Sequence, residues 1–304
     1  MTFAVTVLGS GAAVPMLFRN PSAHIVNVHE RLYLLDCAEG TQIQLRRNGI
    51  KMQRIKFIFI THLHGDHYFG LIGLITTFHL LGRIAELHIY AIPKLKEIIN
   101  IHLEASGTIL RYPLIFHEID PDIQEIIHED EAVTIETITL KHDFPTCGFL
   151  IREKPSRRNI RKDFLEGRKL TNSELQGIKR GLNYIDAYGN IFKNEEITIP
   201  PPVPRSYAYV TDTAFHEPII PIIKNVTLLY HEATFMQDKA KDAREKFHST
   251  ALEAATIAKK AGVGKLMLGH YSARYKYLSD MQQEAQNVFP NTIMADDGKV
   301  VLID

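Results

Sequence analysis

Thr61-His62-Leu63-His64-Gly65-Asp66-His67 follows directly on the apolar run Phe57-Ile58-Phe59-Ile60. Three imidazoles and a carboxylate at the end of an aromatic and β-branched run predict a buried strand that stops in a turn lined with metal-binding groups. The turn lets His62 and His64 point one way and Asp66 and His67 another, with Gly65 permitting a close backbone path. One ion is then held by the first pair and a second by the other, a few ångströms apart. A solvent-exposed histidine turn is the bland alternative, and four such groups behind a buried strand weigh against it. Nitrogen and oxygen donors without thiolate favour zinc, with manganese or another divalent ion possible.

Working outward, β-branched and apolar runs predict strands at about 3–9, 23–28, 31–36, 55–60, 86–91, 132–140, 147–152, 206–211, 226–230, 265–269 and 298–303. Helical periodicity fits about 40–48, 67–81, 93–105, 250–261 and 277–288. Thr250 and Glu253 make a capping box at the start of one helix, and Gly262 suits its C-terminal end. Strands and helices alternate in both halves, as expected of two sheets between helices. The composition shifts at about 153–205, which is basic, apolar-poor and closed by Pro200-Pro201-Pro202-Val203-Pro204. This stretch reads as an excursion from a single domain of residues 1–304, either a disordered loop or a projecting arm.

With 304 residues, 45% hydrophobic and 23% charged, the chain is long enough for one large α/β domain. No apolar run is long enough to span a membrane, and the N-terminus lacks the basic start of a signal peptide. Cys37 and Cys147 are too few for a disulfide framework or a thiolate cluster, so a reducing cytoplasm is expected. A formal net charge of zero supplies no global field for a polyanion. Locally, residues 152–180 carry ten Lys or Arg against four acids, and residues 117–131 carry seven acids without a Lys or Arg. The basic stretch is where a polyanion would be held, unless it is simply a solvated surface.

His-x-His-x-Asp-His resembles the signature of metallo-β-lactamase-fold hydrolases, which implies an αββα sandwich of two mixed sheets between helices. Further ligands then belong at downstream strand ends, where His142, Asp212 and His270 all lie. The resemblance assigns His62, His64 and His142 to one ion and Asp66, His67 and His270 to the other, with Asp212 bridging two zinc ions per subunit. Segments over most of the chain are similar to ribonuclease Z. They are Leu8-Gly9-Ser10-Gly11-Ala12-Ala13-Val14-Pro15 with Arg19-Asn20-Pro21-Ser22, then Leu35-Asp36-Cys37-Ala38-Glu39-Gly40-Thr41-Gln42 and His67-Tyr68-Phe69-Gly70-Leu71. His231-Glu232-Ala233-Thr234-Phe235, His248-Ser249-Thr250-Ala251 and Leu268-Gly269-His270-Tyr271-Ser272-Ala273-Arg274-Tyr275 complete the set. That family carries an inserted arm that grips the tRNA elbow, usually with a Gly-Pro-rich tip. Glu174-Leu175-Gln176-Gly177-Ile178-Lys179-Arg180-Gly181 resembles part of the arm, with Lys179 and Arg180 as candidate phosphate contacts, but the tip is missing.

The resemblance implies a metal-dependent endoribonuclease, acting as a homodimer, that removes the 3′ trailer of precursor tRNA and leaves a tRNA 3′-hydroxyl and a 5′-phosphorylated trailer. Asp66 is then both a ligand and the proton acceptor of the attacking water. His248 protonates the leaving 3′-oxygen or neutralises the phosphate, and Glu232 fixes its tautomer. Ser272 and Arg274 hold a phosphate or the tRNA 3′ end, unless Arg274 is an ordinary surface ion pair. Arg19 and Asn20 line the nucleotide pocket. The remaining histidines, among them His24, His88, His117 and His128, read as scattered core or surface residues. Two other readings stay open: the same site acting on a small ester, sulfate ester or other phosphodiester, and a non-catalytic RNA-binding module with a structural metal. The basic stretch together with His248-Ser249-Thr250 weighs against the first, and the full ligand set against the second.

Overall fold

The computed structural model describes residues 2–304. Residues up to Arg152 together with Arg205–Asp304 form one compact unit, and Glu153–Pro204 form another. The larger unit opens with β1 (Phe3–Gly9), β2 (Ala23–Val28), β3 (Arg31–Leu35), α1 (Thr41–Arg47) and β4 (Ile55–Phe59). It continues through α2 (Gly65–Tyr68), α3 (Leu71–Leu80), β5 (Leu87–Ala91), α4 (Lys94–Ala105), β6 (Leu114–Glu118), β7 (Ile126–Glu129), β8 (Val133–Thr139) and β9 (Cys147–Glu153). The smaller unit holds β10 (Asn159–Ile160), α5 (Lys162–Leu165), α6 (Asn172–Lys179), β11 (Tyr184–Ile185), β12 (Ile191–Phe192), α7 (Asn194–Ile197) and β13 (Thr198–Ile199). Back in the larger unit come β14 (Ser206–Val210), β15 (Leu228–Glu232), α8 (Ala240–Glu245), α9 (Ala251–Ala261), β16 (Lys265–Gly269), α10 (Ser279–Gln286), β17 (Thr292–Met294) and β18 (Val300–Leu302).

Two seven-stranded mixed sheets result, in the orders β18-β1-β2-β3-β4-β5-β6 and β17-β16-β15-β14-β9-β8-β7. Period-two alternation decides which side chains face which layer. Phe57 and Phe59 of β4 join Tyr207 and Tyr209 of β14 in the core between the sheets. Ile58 instead packs with Leu74, Ile75 and Phe78 of α3, while Ala208 and Val210 pack with Ala254, Ala255 and Ala258 of α9. This is the αββα sandwich, with helices covering the outer faces.

The helix expected over 67–81 is two helices. Gly70 breaks it because its N–H bonds the Cys37 carbonyl at 2.9 Å. A Cβ there would stand 2.0 Å from the Ala38 carbonyl oxygen. Strands β6, β7 and β17 and helix α8 had no sequence expectation. β6, β7 and β17 lie at sheet edges, and α8 buries only Ala243, so none carries a full apolar pattern. His88, His117 and His128 do not scatter either. His88 Nδ1 and His117 Nε2 are 2.9 Å apart, and the Tyr90 hydroxyl lies 3.0 Å from His128 Nδ1.

The smaller unit is ordered, not a bare loop. Phe164, Ile178 and Ile197 form a core of its own, and the Arg168 guanidinium lies 4.5 Å from the Phe164 ring centre. Thr171 and Glu174 close a capping box on α6. Lys179 is the last residue of that helix and Arg180 its C-cap.

Candidate metal centre

Most of the residues expected at the centre lie at or just past the C-terminal end of a strand, with Asp66 and His67 on α2 and His248 between α8 and α9. β4 leads to His62, β8 to His142, β14 to Asp212, β15 ends in Glu232 and β16 leads to His270. Strands β14, β15 and β16 run parallel, so their carboxyl ends open on one side, where α/β sheets ordinarily place their ligands. His270 has a φ of 56°, a left-handed conformation that costs a non-glycine residue strain and is characteristic of functional sites.

Two donor groups form around one carboxylate. His62, His64, His142 and Asp212 offer ligand atoms within 4.8 Å of one another, and so do Asp66, His67 and His270. Asp212 Oδ2 lies 3.6 Å from His62 Nε2 and 3.8 Å from His142 Nε2. Its Oδ1 lies 3.3 Å from His67 Nε2 and 3.1 Å from His270 Nε2. One oxygen thus faces each group. Asp66 Oδ2 closes the second group at 3.7 Å from His67 Nε2 and 3.6 Å from His270 Nε2, and accepts a hydrogen bond from the Ala13 N–H at 2.7 Å. Gly65 serves the turn differently from expectation: a Cβ there would strike the Phe69 ring at 2.2 Å.

The hydrogen bonds behind the imidazoles turn their lone pairs inward. Asp36 accepts from His67 Nδ1 at 2.8 Å and from the Thr61 hydroxyl at 3.0 Å. With its proton so committed, Thr61 Oγ1 accepts from His62 Nδ1 at 3.0 Å. The Phe247 carbonyl takes His142 Nδ1–H at 3.1 Å. Thr234 donates to Glu232 Oε2 at 2.6 Å and accepts from His270 Nδ1 at 2.9 Å. The opposite nitrogens of His62, His67 and His270 are buried without any hydrogen-bond partner, which in a purely protein interior costs about 1–3 kcal/mol each. Orphaned lone pairs converging on carboxylate oxygens are what a divalent cation needs, so the residues fit a two-ion site.

Electrostatics agree. Burial, reinforced by neighbouring imidazoles, holds His62 well below the ordinary histidine value, and burial lowers His64 too. Burial would raise Asp212, but His270, His67 and His62 outweigh it and keep the carboxylate ionised. Burial likewise works against a charge on His67, yet Asp212 and Asp36 prevail and draw positive charge to that point.

His248 stands at the same centre, its ring 5.3 Å from that of His142 and 5.5 Å from that of His270. Its Nδ1 bonds Glu232 Oε1 at 2.9 Å, the pairing expected from the sequence. Burial disfavours its cation, but the Glu232 carboxylate overrides this and pushes His248 up to about 9. A cleft of about 410 Å³ opens over these groups, lined also by Phe235, Lys246, Ser272 and Arg274. Arg274 Nε donates to Ser272 Oγ at 3.2 Å, and its Nη1 pairs with Asp242 at 3.4 Å. Arg19 and Asn20 do not line this cleft. Arg19 is buried against the Tyr271 ring and lines a neighbouring hollow, and Asn20 donates to Asp297 at 2.8 Å. Sequence reasoning assigned no role to Asp36, Thr61 or Thr234. All three lay inside quoted segments, but hydroxyl and carboxylate partners of this kind carry no spacing signal.

A family model described as anti-Pycsar protein Apyc1 matches residues 3–154. The ribonuclease Z of Phocaeicola vulgatus is 44% identical over 293 residues, covering 96% of this chain and 95% of that protein. The chain belongs to the ribonuclease Z family. The ribonuclease Z of Porphyromonas gingivalis W83 is 41% identical over 295 residues, 97% of each chain. Human short-form tRNase Z superposes with a TM-score of 0.72 at 27% identity over 99% of both chains. A Bacillus subtilis metallo-β-lactamase-fold protein, 20% identical with a TM-score of 0.69, covers 99% of this chain and 100% of that one and shares the fold. The ribonuclease Z matches extend across Asp212, Glu232, His248 and His270, all beyond the reach of the family model.

Proposed function

We propose that this protein is an endoribonuclease that removes the 3′ trailer of precursor tRNA, with two zinc ions at the His/Asp centre. The observation that carries the reading is the Glu232–His248 pair set in the same cleft as the seven-residue donor cage, in a chain so extensively similar to ribonuclease Z. His62, His64 and His142 would hold one ion and Asp66, His67 and His270 the other, with Asp212 shared. When bound, such ions supply Lewis acidity and lower the pKa of water at the site.

The chain's own residues divide the proton work. Asp66, fixed by the Ala13 N–H, orients the attacking water and takes its proton as the new phosphorus–oxygen bond forms. His248 is kept protonated by Glu232, and gives its Nε2 proton to the 3′-oxygen as that bond to phosphorus breaks. The products are a tRNA 3′-hydroxyl and a trailer with a 5′-phosphate. Ser272 and Arg274 stand at the cleft to receive a phosphate of the same strand. Glu153–Pro204, with Lys179 and Arg180 on α6, would be the tRNA-gripping exosite.

A homodimer is supported by large apolar residues exposed at and after the end of α3 and on and after α4, namely Leu80, Ile84, Ile101 and Ile109. The cytoplasm is supported by two cysteines that are free and buried. No helix among the described residues is long and apolar enough to cross a membrane. The test is cleavage of pre-tRNA against hydrolysis of bis-p-nitrophenyl phosphate. Preference for the RNA by orders of magnitude supports the reading, and hydrolysis of the small ester alone overturns it.

A further inference from the structure

Phe235, the residue after Thr234, is only 2% exposed, yet it forms part of the cleft wall. Two cations flank its ring. The Arg274 guanidinium carbon lies 4.9 Å from the ring centre and the Lys246 ammonium 6.0 Å from it, both within cation–π range. Arg274 is anchored three ways, by the ring, by Ser272 and by Asp242. Lys246 makes no ion pair among the described residues: the nearby Glu245 pairs with Lys241 at 3.9 Å.

Lys246 follows α8 directly, and a cation there is favourable toward the C-terminal end of a helix dipole. That alone would account for a lysine at this position. It does not account for the ammonium lying over a buried aromatic at the edge of the catalytic cleft, on the same ring as an arginine. Each cation is within cation–π range of the ring and keeps donors available toward the cleft that both residues line, an arrangement suited to an arriving anion.

We infer that Lys246 and Arg274, held on the Phe235 ring, form a phosphate subsite that binds the RNA backbone next to the scissile phosphate. The inference rests on the ribonuclease reading and deepens it, assigning Lys246 and Phe235 to substrate binding. Such a contact releases counterions, so its removal changes the salt dependence of cleavage as well as its rate.

The experiment measures kcat and KM for pre-tRNA across a range of potassium chloride concentrations, for the wild type, K246A, K246R and R274A with K246A. The subsite predicts that K246A raises KM about tenfold with a much smaller change in kcat, and flattens the slope of log(kcat/KM) against log[salt] by about 0.7–1. K246R restores most of the loss, and the double variant flattens the slope further. An unchanged slope, or an equal loss on bis-p-nitrophenyl phosphate, which has no flanking phosphate, overturns the inference while wild-type cleavage keeps the ribonuclease reading. If the wild type cuts no pre-tRNA, the ribonuclease reading falls and this inference falls with it.

Discussion

A single hydroxyl links the acid of the proposed reaction to the metal cage. Glu232 accepts from Thr213 N–H, from Thr234 and from His248, so an ionised carboxylate obliges each neighbour to donate. Thr234 therefore has only a lone pair left for His270, which fixes His270 as the Nδ1–H tautomer with Nε2 toward Asp66 and Asp212. Thr234→Val removes that lock without changing shape much, and is expected to weaken metal binding about 10–100-fold in a chelator competition, with Thr234→Ser near wild type. Equal affinity in the valine variant would contradict the account. His248→Gln, by contrast, should keep its metal content while kcat falls about 10²–10⁴-fold. Metal loss in that variant would make His248 a ligand instead of an acid.

Most of the donor set was legible in the sequence because His-x-His-x-Asp-His compresses four groups into one turn. Asp36 was not. It reaches His67 on α2 from the turn after β3, and its φ of 56° could not be read from neighbouring residues. His24 was read as an ordinary core or surface residue, and it is core: fully buried, bonded to the Tyr207 hydroxyl at 2.7 Å, and lowered to about 3 by burial. An unfolded chain binds this proton below about pH 6.5, whereas the folded chain resists it until about pH 3, so stability is full above 6.5 and falls as the solution is acidified. The slope from this one group approaches about 1.4 kcal/mol per pH unit. Urea midpoints from pH 7.5 to 5 should therefore decline less in His24→Gln than in the wild type, and parallel profiles would show that His24 adds nothing.

At the scale of elements, the strands that meet the site were the easiest to read and the edges the hardest. β14 is buried throughout, β16 after Lys265 and β4 at Ile58 and Phe59, and each shows as an apolar run leading into the site. β7 and β17 are short edge strands whose pairing depends on a neighbour distant in sequence. The break between α2 and α3 was invisible to periodicity because α2 is only four residues long and adds no apolar pattern of its own to that of α3. Gly70 lets the turn press against Cys37 and Ala38, and thereby sets His67 at the head of the second donor group. Gly70→Ala should destabilise the fold by about 1–3 kcal/mol in chemical denaturation, because its Cβ meets backbone that cannot yield. A change within error would mean the turn is looser than the distances indicate.

Over the whole molecule, the basic excursion showed in composition, but its order did not. Its core rests on Phe164, Ile178 and Ile197, spread over three short helices, too sparse for a periodic signal. Thr171 and Glu174 cap a helix there, a signal the sequence reading did not use. β9 and β14 are antiparallel neighbours with Arg152 opposite Ser206, so the segment leaves and returns at adjacent points of one sheet. Replacing Glu153–Pro204 by a short Gly/Ser linker should leave small-diester hydrolysis within a few-fold and cut kcat/KM for pre-tRNA by about two orders of magnitude through lost phosphate contacts. Undiminished pre-tRNA cleavage would remove this unit from substrate binding.

The most direct measurement is incubation of the purified protein with end-labelled pre-tRNA, with added zinc or manganese and with a chelator, using Asp212→Ala as the control that removes the shared carboxylate. The account predicts one metal-dependent cut at the 3′ side of the tRNA, absent with chelator and in the variant. Intact pre-tRNA under every metal condition would contradict it.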